Sequence, residues 1–343
     1  MLAWFVYELL NGDDPAPEKS AALQLEIESP DNTVPATNGG ARANVEGLLR
    51  QIHLAELTGR IDLLRSTLSR LEAVAPDNPD ALFFDAYQHV YSEQMEEAML
   101  VLDRMKQLAP EGLRTAQLED YIHSEAAGKN ELQRGRLLAA ARRYVESLGV
   151  LDTLFPRGRP TLSLELEYLN IQGRIEERWQ ATRERLQELN HRYPDFPPIE
   201  LALADHIASR YPDDTWVLDT YNRLARGSGF GRQAAGSWLQ LMGRLPLTDR
   251  LLEDYALLAS RFPEDPDIQQ NYKRALLERA AEKERMTNPH YRAKKAGLAQ
   301  LDANQLKEAM TNLQYALLEW PEDEEILGGL GLIYLRQGEQ ERA

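Results

Sequence analysis

Cysteine is absent from all 343 residues, which removes disulfides and thiolate metal sites and leaves the redox compartment open. No apolar run reaches the ~18 residues that a membrane-spanning helix needs. The opening LAWFVYELL is apolar but short. It has no basic residues before it and no small-residue cleavage site close behind, so it is a poor secretory signal as it stands. It reads either as the tail of a longer leader or as an apolar start without a role. Basic residues are in deficit, 39 Lys and Arg against 55 Asp and Glu, for a net charge of −16. Phosphate neutralisation needs clustered cations, so this balance argues against a nucleic-acid or anionic-membrane binder.

Chemistry-bearing constellations are also missing. His53, His89, His123, His191, His206 and His290 show no helical metal-pair spacing and no HExxH. The glycine-rich GSGFG at Gly227–Gly231 follows no strand and precedes no Gly-Lys-Ser/Thr, so it reads as a turn or hinge. The acidic run at Pro321–Glu325 suits a helix start, where carboxylates oppose the positive end of the dipole. No Ser/His/Asp or lysine nucleophile pattern is readable. The expectation is a protein that is not an enzyme and uses no cofactor or metal.

What is present is helix and repetition. Gly297 recurs as Gly331 and Ala309 as Ala343, each 34 residues on, and Leu330, Gly331, Tyr334, Gly338 and Ala343 stand at fixed offsets. These offsets resemble the tetratricopeptide repeat, a 34-residue pair of antiparallel helices A and B. In it small residues sit where the helices cross, here Gly331 and Ala343, with Tyr334 filling the gap and Gly338 ending helix A. The front of the chain repeats the pattern. Leu48, Leu49, Ile52 and Ala55 precede Gly59, then Leu64, Leu68 and Leu71 follow before Pro76. Pro110 lies 34 residues after Pro76, with Ala86 and Ala98 at the crossings between them, and Pro321 is the matching closing proline near the end.

Between these ends the period breaks. The next closing prolines, Pro156 and Pro194, arrive at intervals of 46 and 38 residues. LRTAQLEDYIHSEAAG reads as an extra helix, followed by one long helix from Lys129 to about Phe155. Further amphipathic pairs follow, and no alternating strand pattern appears. The predicted fold is all-α, a superhelical solenoid of helical repeats with irregular helical pairs in the middle. Its expected divisions are an apolar N-terminus and a disordered, acidic and proline-rich tether over 1–43, two regular repeats over 44–110, degenerate pairs over 111–285 with a hinge near 227–231, and regular repeats over 286–343, the last truncated.

One surface feature suggests binding. Phe83, Tyr87 and Tyr91 are spaced i, i+4, i+8 and form a stripe along one helix. They occupy the fifth, ninth and thirteenth repeat positions, which resemble those lining a repeat groove. There they either stack on a sugar ring or grip a peptide, or else pack against neighbouring helices. Adaptors of this fold that hold an acidic peptide place Lys at the fifth position and Asn at the ninth. Here the pairs are Leu49 and His53, Phe83 and Tyr87, and Lys294 and Leu298. One lysine is present without its partner, which disfavours that clamp.

The wording of the repeats goes further than their spacing. LLRQIHLAELTGRIDLLRSTLSRLEAVAPDNPD, MEEAMLVLDRMKQLAP, LPLTDRLLEDYALLASRFPEDPDI and the closing NPHYRAKKAGLAQLDANQLKEAMTNLQYALLEWPEDEEILGGLGLIYLRQGEQERA resemble, in that order, the cellulose synthase operon protein C family. The resemblance runs from about Val45 to Ala343. It implies a non-catalytic periplasmic scaffold of cellulose export, attached to the outer membrane through a C-terminal barrel that this stretch lacks. Implied partners are the cellulose synthase complex, cell-envelope proteins and, in the groove, the glucan chain; nucleic acid is not among them. A last repeat that stops at Ala343 implies a fragment of a longer protein. Two other classes stand beside this one: a peptide-binding adaptor or co-chaperone, and a glycan-active enzyme housed in the irregular middle.

Overall fold

The computed structural model describes residues 38–227 and 229–338. Ala343 and most of the expected tether lie outside the described residues. Among the described residues the chain is all helix and turn, with 17 α-helices and one short 3-10 segment. It divides into two compact units, Met1–Trp238 and Leu239–Ala343.

The first unit opens with two hairpins: α1 (Asn38–Leu57) with α2 (Ile61–Val74), then α3 (Pro79–Tyr91) with α4 (Met95–Leu108). Helix α1 starts at Asn38, inside the stretch expected to be a tether. Ala41, Arg42 and Ala43 are strong helix formers and carry the helix back from Asn44, while Gly39 and Gly40 before them favour it less. Gly59 closes α1 in the left-handed region at φ 63°. The Gly59 N–H donates to the Glu56 carbonyl at 3.1 Å and the Arg60 N–H to the Ala55 carbonyl at 2.9 Å. This is the paired-bond helix ending that satisfies two orphan carbonyls. The same turn recurs at Glu93, φ 60°, 34 residues on.

The long helix expected over Lys129–Phe155 is instead a third hairpin, α6 (Lys129–Ala140) with α7 (Tyr144–Leu154), preceded by the unpaired helix α5 (Leu113–Glu125). The break falls at Arg142, again left-handed at φ 60°. A non-glycine residue there costs roughly 1–2 kcal/mol, and the crossing offsets it. The Ser147 hydroxyl donates to the Gly135 carbonyl at 2.7 Å, and a Cβ on Gly135 would meet Val150 at 3.4 Å. Gly135, Arg142 and Ser147 keep the spacing of Ala86, Glu93 and Ala98. The array therefore stays regular past an inserted helix.

The rest of the unit is α8 (Leu162–Gln172), the 3-10 turn Glu176–Arg178, α9 (Trp179–Arg192), α10 (Pro197–Ala208), α11 (Thr215–Arg226) and the start of α12 (Gly231–Met242). The Gly227–Gly231 joint separates α11 from α12, with Gly229 at φ 89°. The division between the compact units falls inside α12. A continuous core runs under the front helices, with Ile52, Leu68, Phe83, Phe84, Leu118 and Leu148 each at most 1% exposed. Ala86 and Ala98 are fully buried at their crossings, and Pro76 and Pro110 stand exposed in the turns after α2 and α4.

The second unit contains α13 (Asp249–Arg261), α14 (Pro266–Arg285), α15 (Pro289–Asp302), α16 (Leu306–Leu317) and α17 (Glu324–Gln337). Asp265, Asn288 and Asp323 cap α14, α15 and α17 through their side chains. A Cβ on Gly297 would lie 2.7 Å from Leu313 Cγ, so α15 and α16 cross at a distance only glycine permits. Ala309 is fully buried beside it. On the next helix the glycine that meets Leu313 is Gly329, whose added Cβ would be 3.0 Å away. Gly331 is half-buried on α17, and the Ala343 crossing expected to face it is outside the described residues. Leu330 is buried and Tyr334 half-buried against the same cluster. Pro321 is exposed in the turn before α17, and Gly338 ends that helix at φ 82°.

Candidate functional site: the inner face of the front repeats

Helices α1, α3 and α5 lie side by side, and α8 packs across α1. The first-helix positions of the repeats meet here, so this face holds the aromatic stripe. The structure separates its three members. Phe83 is fully buried, edge-on to Phe84 at 5.3 Å, with the Arg114 guanidinium 4.0 Å over its ring. It has no surface left for a ligand. The inserted helix α5 stands beside α3 and supplies Arg114. Tyr87 is half-buried and stacked on Tyr121 of α5 at 5.4 Å and 22°. Tyr91, 44% exposed, is the member of the stripe that offers a ring to solvent.

Polar groups that sequence patterns did not single out knit the face together. Arg114 donates to Asp80 at 2.6 Å, to Gln117 at 3.0 Å and to the Pro160 carbonyl at 2.7 Å. Arg136 and Glu167 form a two-pronged pair at 2.9 and 3.0 Å, with both side chains largely buried. Such a pair sets the angle between α6 and α8 more than it adds net stability.

Glu56 on α1 is 5% exposed and accepts from the Ser163 N–H at 3.2 Å and from the Ser163 hydroxyl. Ser163 is the second residue of α8, so the carboxylate sits on that helix's free N–H groups. Burial pushes the Glu56 carboxyl up to about 7; the bonds from Ser163 and Thr161 and the charge of Arg114 oppose the rise and do not cancel it. One turn back, burial holds His53 down to about 4, with Arg114 and Arg192 adding to the effect. Its ring stands edge-on to Phe84 at 5.3 Å and to Tyr193 at 5.6 Å. Glu56 was legible in one respect: it stands four residues after Ile52, in the apolar period of α1.

The remaining clamp lysine is already occupied. Lys294 donates to Asp323 at 2.7 Å and pairs with Glu325 at 2.7 Å, with its own side chain 14% exposed. A lysine neutralised by two carboxylates of its own chain is a poor host for an acidic peptide. Among the described residues no cluster of three or more His, Asp or Glu side chains could hold a metal ion, and no helix is long and apolar enough to cross a membrane.

No family model matches the chain. Among known proteins, cellulose synthase operon protein C of Salmonella typhimurium is 30% identical over 300 residues, which cover 84% of this chain and 24% of that protein. The chain is a relative of cellulose synthase operon protein C. The Escherichia coli K12 operon protein C agrees, at 28% identity over 86% of this chain and 25% of its own length. A match over 84% of the chain must cross the irregular middle. The chain spans about a quarter of the length of these operon protein C relatives. A crystal structure of the flexible tandem repeat domain of a bacterial cellulose synthase component is 27% identical, covering 69% of this chain and 97% of that one, with a TM-score of 0.47.

Proposed function

We propose that this chain is a non-catalytic, periplasmic scaffold segment of bacterial cellulose biosynthesis and export. It holds the synthase in register with an outer-membrane channel through protein contacts along its helical repeats. The observation that carries this reading is the extent of the operon protein C match, 84% of the chain, irregular pairs included. Generic repeat positions would align the regular hairpins; they would not align the departures from regularity between them. The peptide-adaptor reading loses its remaining support because Lys294 is bound to Asp323 and Glu325.

A chimera tests the proposal. Residues 45–338 replace the aligned segment of the Salmonella relative, and secreted cellulose is measured in cells lacking the native copy. Secretion at or near the native level is the expected result. Loss of secretion with the chimera present in the periplasm at normal abundance overturns the scaffold role. Direct contact with glucan is a separate matter that rests on Tyr91. Binding of cello-oligosaccharides to the chain and to Tyr91→Ala would differ if the exposed ring stacks on sugar, and equal affinities remove that contact.

A further inference from the structure

Helix α1 makes a second set of contacts that the repeat pattern does not require. Its chain neighbours are α2 and α3, yet it also meets α8 and the turn between α9 and α10, more than a hundred residues on. Glu56 takes the N–H and hydroxyl of Ser163. The Arg50 guanidinium donates to the Pro194 carbonyl and lies 5.9 Å from the Phe196 ring. His53 is held between Phe84 of its own array and Tyr193 of the distant turn.

The positions involved matter. His53 stands at the ninth repeat position and Glu56 three residues later on the same face, where a repeat of this kind meets a partner. In this structure the chain's own Thr161–Ser163 and Tyr193–Phe196 segments cover that face. The seam is polar at its centre. Among the described residues no Lys or Arg forms an ion pair with Glu56; Arg114 acts on it only through its charge, and its direct partners are the hydroxyl and N–H of Ser163 at a helix start. Burying an acid without a directly paired cation is costly, and a joint of this size would be closed more cheaply by aliphatic side chains.

We propose that Glu56 is a latch: its contact with Ser163 holds the inner face of the first repeat shut against α8, and that face opens locally when the contact is lost. Opening would move α1 with Arg50, His53 and Glu56 away from α8 and leave α3, α5, α6 and α7 in place. The inference concerns the state of this face and does not depend on the export reading.

Hydrogen exchange on the whole chain tests it, with Glu56→Ala, Glu56→Gln and Ser163→Ala. Glutamine keeps an acceptor for the Ser163 N–H and a group to bond the Ser163 hydroxyl; alanine keeps neither. In Glu56→Ala the amides of Leu48–Leu57 and Ser163 should exchange about tenfold faster, the loss expected when a buried hydrogen bond loses its acceptor. Ser163→Ala should show a smaller rise at the same amides. At pH 5, where Glu56 is protonated in the folded chain, Glu56→Gln should match the native chain, and α6 and α7 should be unchanged throughout. Native-like exchange of α1 in Glu56→Ala overturns the latch. Faster exchange spread equally through α6 and α7 also overturns it, because Glu56 would then be an ordinary part of the core. Glutamine behaving like alanine overturns it as well.

Discussion

The α15–α16 hairpin near the end of the described chain and the α1–α2 hairpin at its front use one turn and two kinds of crossing. Asn304 and Gly59 both stand left-handed, at φ 58° and 63°, and both are followed by the same pair of backbone bonds. At the crossings the chemistry diverges. The closing hairpin places Gly297 under Leu313 with Ala309 beside it, while the front hairpin puts Ile52 and Leu64 in the matching places, both buried. The turn sets the path of the chain, and the crossing then accepts either a close approach with small residues or a wider one filled by aliphatics. Their outer faces differ as well. Lys294 reaches forward to cap the next repeat at Asp323, whereas His53 and Glu56 reach across to distant elements.

The comparison can be broken by exchanging the two crossing chemistries. Ile52→Ala leaves a cavity where no small-residue approach exists to close it. It should cost about 3 kcal/mol, read as a lower denaturation midpoint for the first unit with the second unit's exchange unaffected. Gly297→Ala should cost about 2 kcal/mol through overpacking against Leu313. The same change at Gly328, where an added Cβ meets nothing, should be neutral or slightly stabilising in the same measurement.

The outer faces can be sharpened by pH. Glu56 faces Tyr87 of α3, Tyr121 and Arg114 of α5, and Ser163 and Thr161 at the start of α8. Its folded value, about 7, lies above its ordinary one, so its contribution is full below about pH 4.5 and fades as pH rises through 7. His53 has the opposite sign: its folded value of about 4 is depressed, so its contribution is present above pH 6.5 and lost as pH falls through 4. Glu56→Gln should therefore gain on the native chain between pH 5 and pH 8, by an amount on the order of 1–2 kcal/mol. A difference in urea midpoint that stays constant over this range would show that Glu56 does not titrate there. The smallest effect belongs to the caps. Asn288→Ala removes the bonds to the His290 and Tyr291 N–H groups and should cost about 1 kcal/mol, visible as faster exchange at the start of α15.

The regular repeats were legible because their signals are local. In the repeats of Ala86 and Gly297, small residues twelve places apart report a hairpin without reference to the rest of the chain; in the first repeat the apolar spacing around Gly59 and the closing Pro76 do so. The third hairpin escaped because α5 displaces the 34-residue period; its turn at Arg142 is no less legible than the one at Glu93. Its crossing residues, Gly135 and Ser147, were present at the usual spacing. The aromatic stripe was correctly placed on one helix, but its exposure was not readable. Whether Phe83 is covered depends on α5 standing beside α3, which is a property of neighbours and not of spacing.

Helical class, repeat register and kinship with cellulose synthase operon protein C were thus written in the sequence alone, since periodicity, turn residues and residue order all act over short stretches. The burial of Phe83 and the seam between Glu56 and Ser163 were decided only in three dimensions. Glu56 and Ser163 lie 107 residues apart, and no local pattern encodes such a pair. A carboxylate on an apolar stripe looks like an error until the helix end that receives it is brought into place.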